Sequence, residues 1–303
     1  MRLKKKHAPY VFISPFFIFF FIFGAFPILF SLYLSFFRWD GMSAMRFVGI
    51  ENYSFVLTDP WFWQSIYNTL EIAILTTIPQ HVFAIAFAFI LHRGMVKFRE
   101  FFRTAYFLPY ITAPVAVAMI FTTLFGSPFG ILNAALSGLL SLPLIGDFLE
   151  LLNISYPIRW LSNPSTIRPA VASLLTWRFT GWNIIIYYAG LQKISSTVYE
   201  AAAIDGASTR QTFFKITLPL LRPIMFFAML MSIIGNMQIF DEPIILLGAM
   251  GGTNRAGLTT AMYLYQTAFG WTEFGTGSAI AYVLCFFIIV ASMIFNKYFR
   301  KEI

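Results

Sequence analysis

Long apolar blocks separated by short polar ones run the length of the chain. Five stretches, at about 10–36, 70–91, 104–125, 223–247 and 276–296, are almost free of charge. Each is long enough to cross a bilayer, since ~30 Å of hydrocarbon takes about 20 helical residues. A sixth, at about 169–191, has the length but carries Arg178 inside it. Pro27, Pro79, Pro109 and Pro114 fall within or beside these blocks, where membrane helices accept them as kinks. Ile131–Leu144 is apolar but short, with Pro128 and Gly130 before it, Gly138 within it and Pro143 near its end. It reads as a re-entrant or interfacial segment on the outer side. The pattern predicts an all-α integral membrane protein, residues 1–303 forming a single transmembrane domain of six helices with both termini cytoplasmic.

Composition narrows this further. The chain is 58% hydrophobic and 11% charged, against about 25% charge in a soluble domain. The net charge of +8 does not point to nucleic acid, because the basic residues sit at segment ends, where they set topology and meet anionic lipid. With six spans and the N-terminus inside, 15 Lys and Arg lie on the cytoplasmic side and 5 outside. A seventh span at 131–144 would move the last seven cytoplasmic ones out and destroy that asymmetry. Trp39, Trp61, Trp63, Trp160 and Trp271 then occupy the outer boundary, where indoles concentrate. The basic start followed by an uncharged run from Ala8 to Phe37 is too long for a signal-peptide core and reads as a retained first span. Cys285 is alone, so no intramolecular disulfide is possible, and His7, His81 and His92 are scattered. No metal cluster and no phosphate-cradling G-x-x-x-x-G-K-[ST] loop is present in the sequence, so no cofactor and no catalytic role are expected of this chain.

The exception to the apolar pattern is the cytoplasmic loop at 192–222. Thr197-x-x-Glu200 has the form of a capping box, with Thr197 as N-cap. Asp205-Gly206 would close that short helix through a left-handed glycine. Ser208-x-x-Gln211 is a second capping box, opening a helix through about Ile216 that Pro219 would end. Phe213, Phe214, Ile216 and Leu218 offer an apolar face to a partner, and Ala201, Ala202 and Ala203 permit close helix contact. The plain alternative is a cytoplasmic helical hairpin in which Glu200 only caps.

Glu200-Ala201-Ala202, then Gly206, then Ile216-Thr217-Leu218-Pro219, at this spacing, resembles the signature loop of permease subunits in binding-protein-dependent ABC importers. Phe36-x-x-Trp39-Asp40-Gly41, Phe47-Val48-Gly49 with Asn52-Tyr53, Phe101-Phe102-Arg103, Phe107-Leu108-Pro109, Gly190-Leu191-Gln192, Phe240-Asp241-Glu242, and Tyr263 with Thr267-Ala268-Phe269 look like the carbohydrate branch of that family. The resemblance implies pairing with a second, similar permease in a prokaryotic inner membrane. It implies two cytoplasmic ATP-binding cassette ATPases that carry the ATP and Mg, and an extracytoplasmic sugar-binding protein. Glu200 and Gly206 match the family's sensitive loop positions. Ala201, Ala202, Asp205, Ile216, Leu218 and Pro219 are the other residues expected to couple to the ATPase.

Polar residues within spans are functional candidates, because each is costly in lipid. Trp177, Arg178, Trp182 and Asn183 interrupt the fourth span, with Arg178 about 15 Å deeper than Arg168 at 1.5 Å per residue. Asn236, Gln238 and Asp241 mark the fifth. By resemblance to maltose-type permeases these seven form a solute-pathway neighbourhood. The alternative is hydrogen-bonded glue between helices, and for Arg178 a structural pair with Asp241, Glu242 or a partner subunit. Arg178 also leaves open glycerol phosphate or a polyol as the solute. An ion-coupled secondary transporter would want carboxylates deep in the spans, whereas Glu71, Asp241 and Glu242 are expected at span ends. His81 reads as a packed, hydrogen-bonded histidine, and Gly248, Gly251 and Gly252 as a flexible external loop.

Overall fold

The computed structural model describes residues 8–94, 97–139 and 156–300, and its regular structure is almost entirely helical. The chain divides into two compact units, one formed by the chain up to Phe62 with Tyr263–Phe286 and the other by Trp63–Met262 with the chain from Phe287 onward. In order, the elements are α1 (Tyr10–Leu34), β1 (Phe37–Arg38), β2 (Arg46–Phe47), α2 (Glu51–Thr58), α3 (Pro60–His92), α4 (Arg99–Ile111) and α5 (Pro114–Leu124). They continue with α6 (Ile131–Leu139), α7 (Pro164–Leu191), α8 (Ser196–Ile204), α9 (Thr209–Asn236), α10 (Asp241–Leu247), α11 (Thr260–Tyr265) and α12 (Phe274–Arg300).

Among the described residues, α1, α3, α9 and α12 are long and apolar enough to cross a membrane, and α4 with α5 makes a fifth span if the bent pair counts as one. The 28-residue α7 is long enough but less apolar, because Arg168, Arg178 and Asn183 lie within it.

Several helix limits differ from those expected, and each difference has a local cause. Asp59 accepts from the Trp61 amide at 3.0 Å, which caps α3 and starts it at Pro60 rather than near residue 70. Asn163 accepts from the Ser165 amide with Pro164 at the first helical position, starting α7 before 169. The block at 104–125 is not one helix: α4 and α5 meet at 97° across Thr112-Ala113. Pro114 disfavours helical conformation at Ala113, which is extended at ψ 132°. The block at 223–247 is also divided. α9 stops at Asn236, Phe240 leaves the helical region at φ −136°, and α10 begins at Asp241.

Pro219 was expected to end a helix, yet α9 runs through it from Thr209. The preceding turn, Phe213–Thr217, is a π turn closed by the Leu218 amide on the Phe213 carbonyl. The same device precedes Pro27, where Phe21–Ala25 forms a π turn closed by the Phe26 amide on the Phe21 carbonyl. A proline removes one amide and its ring collides with the carbonyl four residues back. Widening the turn just before it moves the carbonyls aside and lets the helix continue.

In the second unit, α7 is the central element. Ile184, Tyr187 and Leu191 pack with Ala84, Ile85 and Ala88 of α3 and Leu221, Met225 and Ala228 of α9. Val171, Leu174 and Leu175 pack with Val117 and Ala118 of α5 and Leu246 of α10. Gly181 lets α4 approach, because a Cβ there would overlap the Tyr106 carbonyl. The Gly248–Leu258 loop, expected to be flexible, is held by side chains. Gln64 donates to the Asn254 carbonyl at 2.9 Å, and Asn68 to those of Arg255 and Leu258 at 2.9 and 3.1 Å. Of Ile131–Leu144, α6 covers the first nine residues, and 140–144 lie outside the described residues, as do the basic residues before position 8.

In the first unit, β1 and β2 form a short antiparallel hairpin. Buried Asn52 donates to the Ser35 and Phe37 carbonyls at 2.8 and 2.9 Å, and the Phe274 amide donates to the Trp39 carbonyl at 3.1 Å. Asp40 accepts from the Met42 and Ser43 amides at 2.9 and 2.7 Å, bonds that hold its carboxyl down at about 2. The Tyr263 hydroxyl donates to Asp59.

Gly181→Leu is expected to force α4 off α7 at a cost of about 1–3 kcal/mol, lowering the thermal midpoint of the detergent-solubilised protein. An unchanged midpoint would show that this approach is not close-packed.

Candidate functional site

Two regions carry the chemistry singled out from sequence. The first is a cavity of about 180 Å³ lined by Gln80, Tyr110, Phe179, Trp182, Asn183, Met231, Ser232, Gly235 and Asn236. Tyr110 stacks on Trp182, the ring centroids 4.8 Å apart and the planes 21° from parallel. Asn183 spends its amide on the Phe179 carbonyl at 3.2 Å, and Gln80 donates to the Ser232 hydroxyl at 2.7 Å. Asn183 Oδ1 and Gln80 Oε1 are buried with no partner. An unmet buried acceptor costs about 1–3 kcal/mol, and both of these belong to residues that line the cavity. Asn236 donates to Thr77 at 2.7 Å and ties α9 to α3. None of the lining residues is charged.

Of the seven expected pathway residues, only Trp182, Asn183 and Asn236 meet here. Trp177 is five residues before Trp182, so the helix turns it about 140° away. It packs on Phe121 at 5.4 Å and lines a separate apolar groove with Phe83, Phe101 and Tyr106. Gln238 and Asp241 are exposed beyond the end of α9. Arg178 is buried in an ion pair with Glu242, and its Nη2 lies 3.4 Å from the Thr112 carbonyl.

Glu71 and Glu242 are not simple span-end carboxylates. Glu71 lies well inside α3 and pairs with Arg168 at 2.9 Å, and Glu242 is buried against Arg178. Each is matched by an arginine. His81 accepts or donates at Nδ1 to the Tyr187 hydroxyl at 2.6 Å. Gln80, Tyr110 and Ser232 were not anticipated. Gln80 was legible as an amide inside a span beside Pro79, whereas Tyr110 reaches the cavity only because the chain breaks at Thr112-Ala113.

The second region is the segment from α8 to the start of α9. The N-cap of α8 is Ser195, whose hydroxyl accepts from the Thr197 amide at 3.3 Å. Thr197 is not the cap, because the helix begins one residue earlier, at Ser196. Gly206, at φ +71°, closes α8: its amide donates to the Ala203 carbonyl at 3.1 Å and the Ala207 amide to the Ala202 carbonyl at 2.9 Å. This bond pair is a Schellman motif. Ser208 and Gln211 form the expected capping box in both directions, at 2.8 and 3.3 Å.

The exposed face of this segment comprises Glu200, Ala201, Asp205, Gly206 and Pro219, with Ile204 87% exposed and Phe214 56%. Ala202 is buried and Ile216 and Leu218 half-buried, while Phe213 turns inward onto Phe89 at 4.8 Å. Ile204 is the strongest apolar contact on offer, and as a single residue it left no periodic signal in the sequence.

Residues 81–303 match the family described as binding-protein-dependent transport system inner membrane component. The chain belongs to this family. As an inner membrane component of such a transport system, it is 36% identical over 294 residues to the arabinooligosaccharides transport system permease protein AraP of Bacillus subtilis (strain 168), covering 97% of this chain and 89% of that protein. It is 32% identical to the lactose transport system permease protein LacF of Rhizobium radiobacter, over 94% of this chain and 91% of that one. Its fold is shared with a chain of a bacterial alginate ABC transporter solved in complex with an alginate pentasaccharide-bound periplasmic protein. That match has a TM-score of 0.78 and 22% identity, covering 99% of this chain and 98% of that one.

In this permease the α8–α9 turn is stiffened by two separable motifs. Ser208→Ala should cost about 1 kcal/mol of local stability. Hydrogen exchange at the Gln211 amide should accelerate roughly 5-fold for that loss, with α3 unaffected. Protection equal to the wild type would show that the capping box does not hold this turn.

Proposed function

We propose that this chain is one of two permease subunits of an ATP-driven importer for a neutral saccharide. In this reading it crosses the membrane six times with both termini cytoplasmic, α4 and α5 together forming one broken span and α7 another. The α8–α9 turn docks on an ATP-binding cassette ATPase, and a second permease, a second ATPase and an extracytoplasmic binding protein complete the assembly. ATP and Mg belong to the ATPase subunits. The observation that carries the solute class is the uncharged cavity, lined by an indole–phenol stack for an apolar sugar face and by the amide side chains of Gln80, Asn183 and Asn236 for hydroxyls. The relatives named for arabinooligosaccharides and lactose support the same class. Glycerol phosphate is disfavoured, because Arg178 is occupied by Glu242 and no other cation lines the cavity. Ion-coupled transport is disfavoured because Glu71 and Glu242 are both matched by arginines.

The coupling role falls to Glu200, Ala201, Asp205, Gly206 and Pro219 on the exposed face, with Ala202, Ile216 and Leu218 beneath them. Their support is the rigid, outward-facing turn in a chain of this family.

Mild solubilisation of membranes and capture of the tagged chain should bring down a second permease and an ATPase. Glu200→Lys should lose the ATPase and keep the permease. A chain that purifies alone, or one whose ATPase survives Glu200→Lys, would overturn the docking assignment. In membrane vesicles with the binding protein added outside, lactose or an arabinooligosaccharide should enter with ATP and not with a proton gradient alone, and Trp182→Ala should raise the half-saturating concentration about 10-fold, the loss of roughly 1.4 kcal/mol of ring contact. Unchanged affinity would remove Trp182 from the solute path.

A further inference from the structure

We propose that the buried Arg178–Glu242 pair positions the solute cavity: it fixes the broken span so that Tyr110 stays stacked on Trp182, and sets solute affinity without touching solute. That last step rests on the cavity being the solute site, as proposed above.

The pair is placed where a merely cohesive contact would be a poor choice. Both side chains are nearly enclosed, 11% and 5% exposed, Arg178 on α7 and Glu242 on α10. Buried ion pairs often stabilise no better than apolar residues of the same volume, so the pair's distinguishing property is its directionality. A guanidinium presents donors in a fixed fork and can hold two partners at set angles. Here those partners belong to different elements. One is Glu242, on α10. The other is the carbonyl of Thr112, 3.4 Å from Nη2, at the last residue before the chain turns by 97°.

That carbonyl is one of those a helix end leaves without an internal partner, and Pro114 follows with no amide to offer. In lipid such a group must find a donor within the protein. Arg178 supplies it. The same contact fixes the end of α4, and Tyr110 is only two residues earlier. Trp182 is one turn beyond Arg178 on the same face of α7. Thr112 on Arg178 and Tyr110 on Trp182 are therefore two successive attachments of one helix end to one helix face. Glu242 anchors the guanidinium from the far side, through α10, whose Leu246 packs with Val117 and Ala118 of α5. Arg178 and Glu242 line no part of the cavity. Their reach into it is through Tyr110.

The test reads the stack directly. The purified complex is labelled with 5-fluorotryptophan, and the Trp182 fluorine resonance is assigned by its loss in Trp182→Phe. Tyr110→Leu removes the phenol ring current and defines the unstacked position. In Arg178→Met with Glu242→Leu, which keeps volume and leaves no lone charge, the Trp182 resonance should move at least halfway to that position. The Trp160 resonance should stay in place. A Trp182 resonance at its wild-type position would overturn the proposal. If that double variant yields no assembled complex, Arg178→Lys takes its place. A single ammonium keeps the charge for Glu242 but not the fork, and the same shift is expected in the same direction, with no shift again overturning the proposal. Uptake then separates this inference from the one it rests on. If the resonance moves and the half-saturating concentration for lactose or an arabinooligosaccharide rises about 10-fold in both Tyr110→Leu and the pair variant, both readings stand. If Tyr110→Leu leaves uptake affinity unchanged, the cavity is not the solute site. If Tyr110→Leu weakens uptake and the pair variant does not, the positioning role fails alone.

Discussion

A main-chain amide or carbonyl inside hydrocarbon has no water to turn to, and each one left unmet costs several kcal/mol. The most informative features of this permease are the places where its own sequence violates that requirement and the structure compensates. Fifteen prolines are spread along a chain that must be mostly helix, and each removes a donor. At Pro27 and Pro219 the compensation is internal: a π turn ends on the residue just before the proline, and the helix continues. At Pro114 no such turn forms, the helix breaks, and the orphaned carbonyl of Thr112 is served by a side chain from another helix. The first solution preserves a continuous span. The second makes a corner, and the cavity lies beside that corner.

This also accounts for where charge is tolerated. Arg168 and Arg178 lie on one face-determining helix, and each is matched by a carboxylate from a neighbour. Neither is a free cation waiting for an anionic solute. The unmet side-chain oxygens on residues that line the cavity, Asn183 Oδ1 and Gln80 Oε1, are neutral, and an unmet neutral acceptor costs far less than an unpaired charge. If the cavity is the solute site proposed above, neutral groups suit it, because an unpaired ion would either bind its solute too firmly or collapse onto a counter-ion.

The sequence made the large elements legible because span length and apolar content are read directly from composition. The loop was legible because capping chemistry is local: Ser208, Gln211 and Gly206 act on residues within five positions of themselves. What was not legible depended on distance in sequence. Whether Pro114 would kink a helix or break it depended on a donor 66 residues away, and the continuation of α9 through Pro219 depended on a π turn that no residue pattern announces. Ser195 took the cap from Thr197 because two hydroxyls two positions apart satisfy the same motif, and only the backbone at the helix start chooses between them. For the cavity, Trp182, Asn183 and Asn236 were visible as polar interruptions of apolar spans. Trp177 was visible in the same way and yet faces elsewhere, since five residues of helix carry a side chain most of the way round. Tyr110 could not be found, because a tyrosine near a span end is ordinary until the corner brings it over Trp182.

The loop and the cavity thus contrast in mechanical character. The α8–α9 turn is closed by a Schellman motif and a capping box with one residue, Ala207, between their key positions Gly206 and Ser208, so it has little freedom to absorb a push. In the docking role proposed above, a force applied at Glu200 or Ile204 would be passed on into α9 rather than spent in the turn. α9 is continuous from Thr209 to Asn236, and its last residue is a wall of the cavity. One unbroken helix therefore has the exposed turn at one end and a wall of the cavity at the other. The π turn that carries it past Pro219 matters for that reason: had the chain broken there, as proline ordinarily dictates, the two ends would be joined by a hinge, and displacement at one would not determine displacement at the other. The corner at Thr112-Ala113 follows two residues after Tyr110 of the cavity lining, and Arg178 donates to its Thr112 carbonyl. In the proposed importer, a shift of α9 against a corner held by Arg178 would change the size of the cavity beside them.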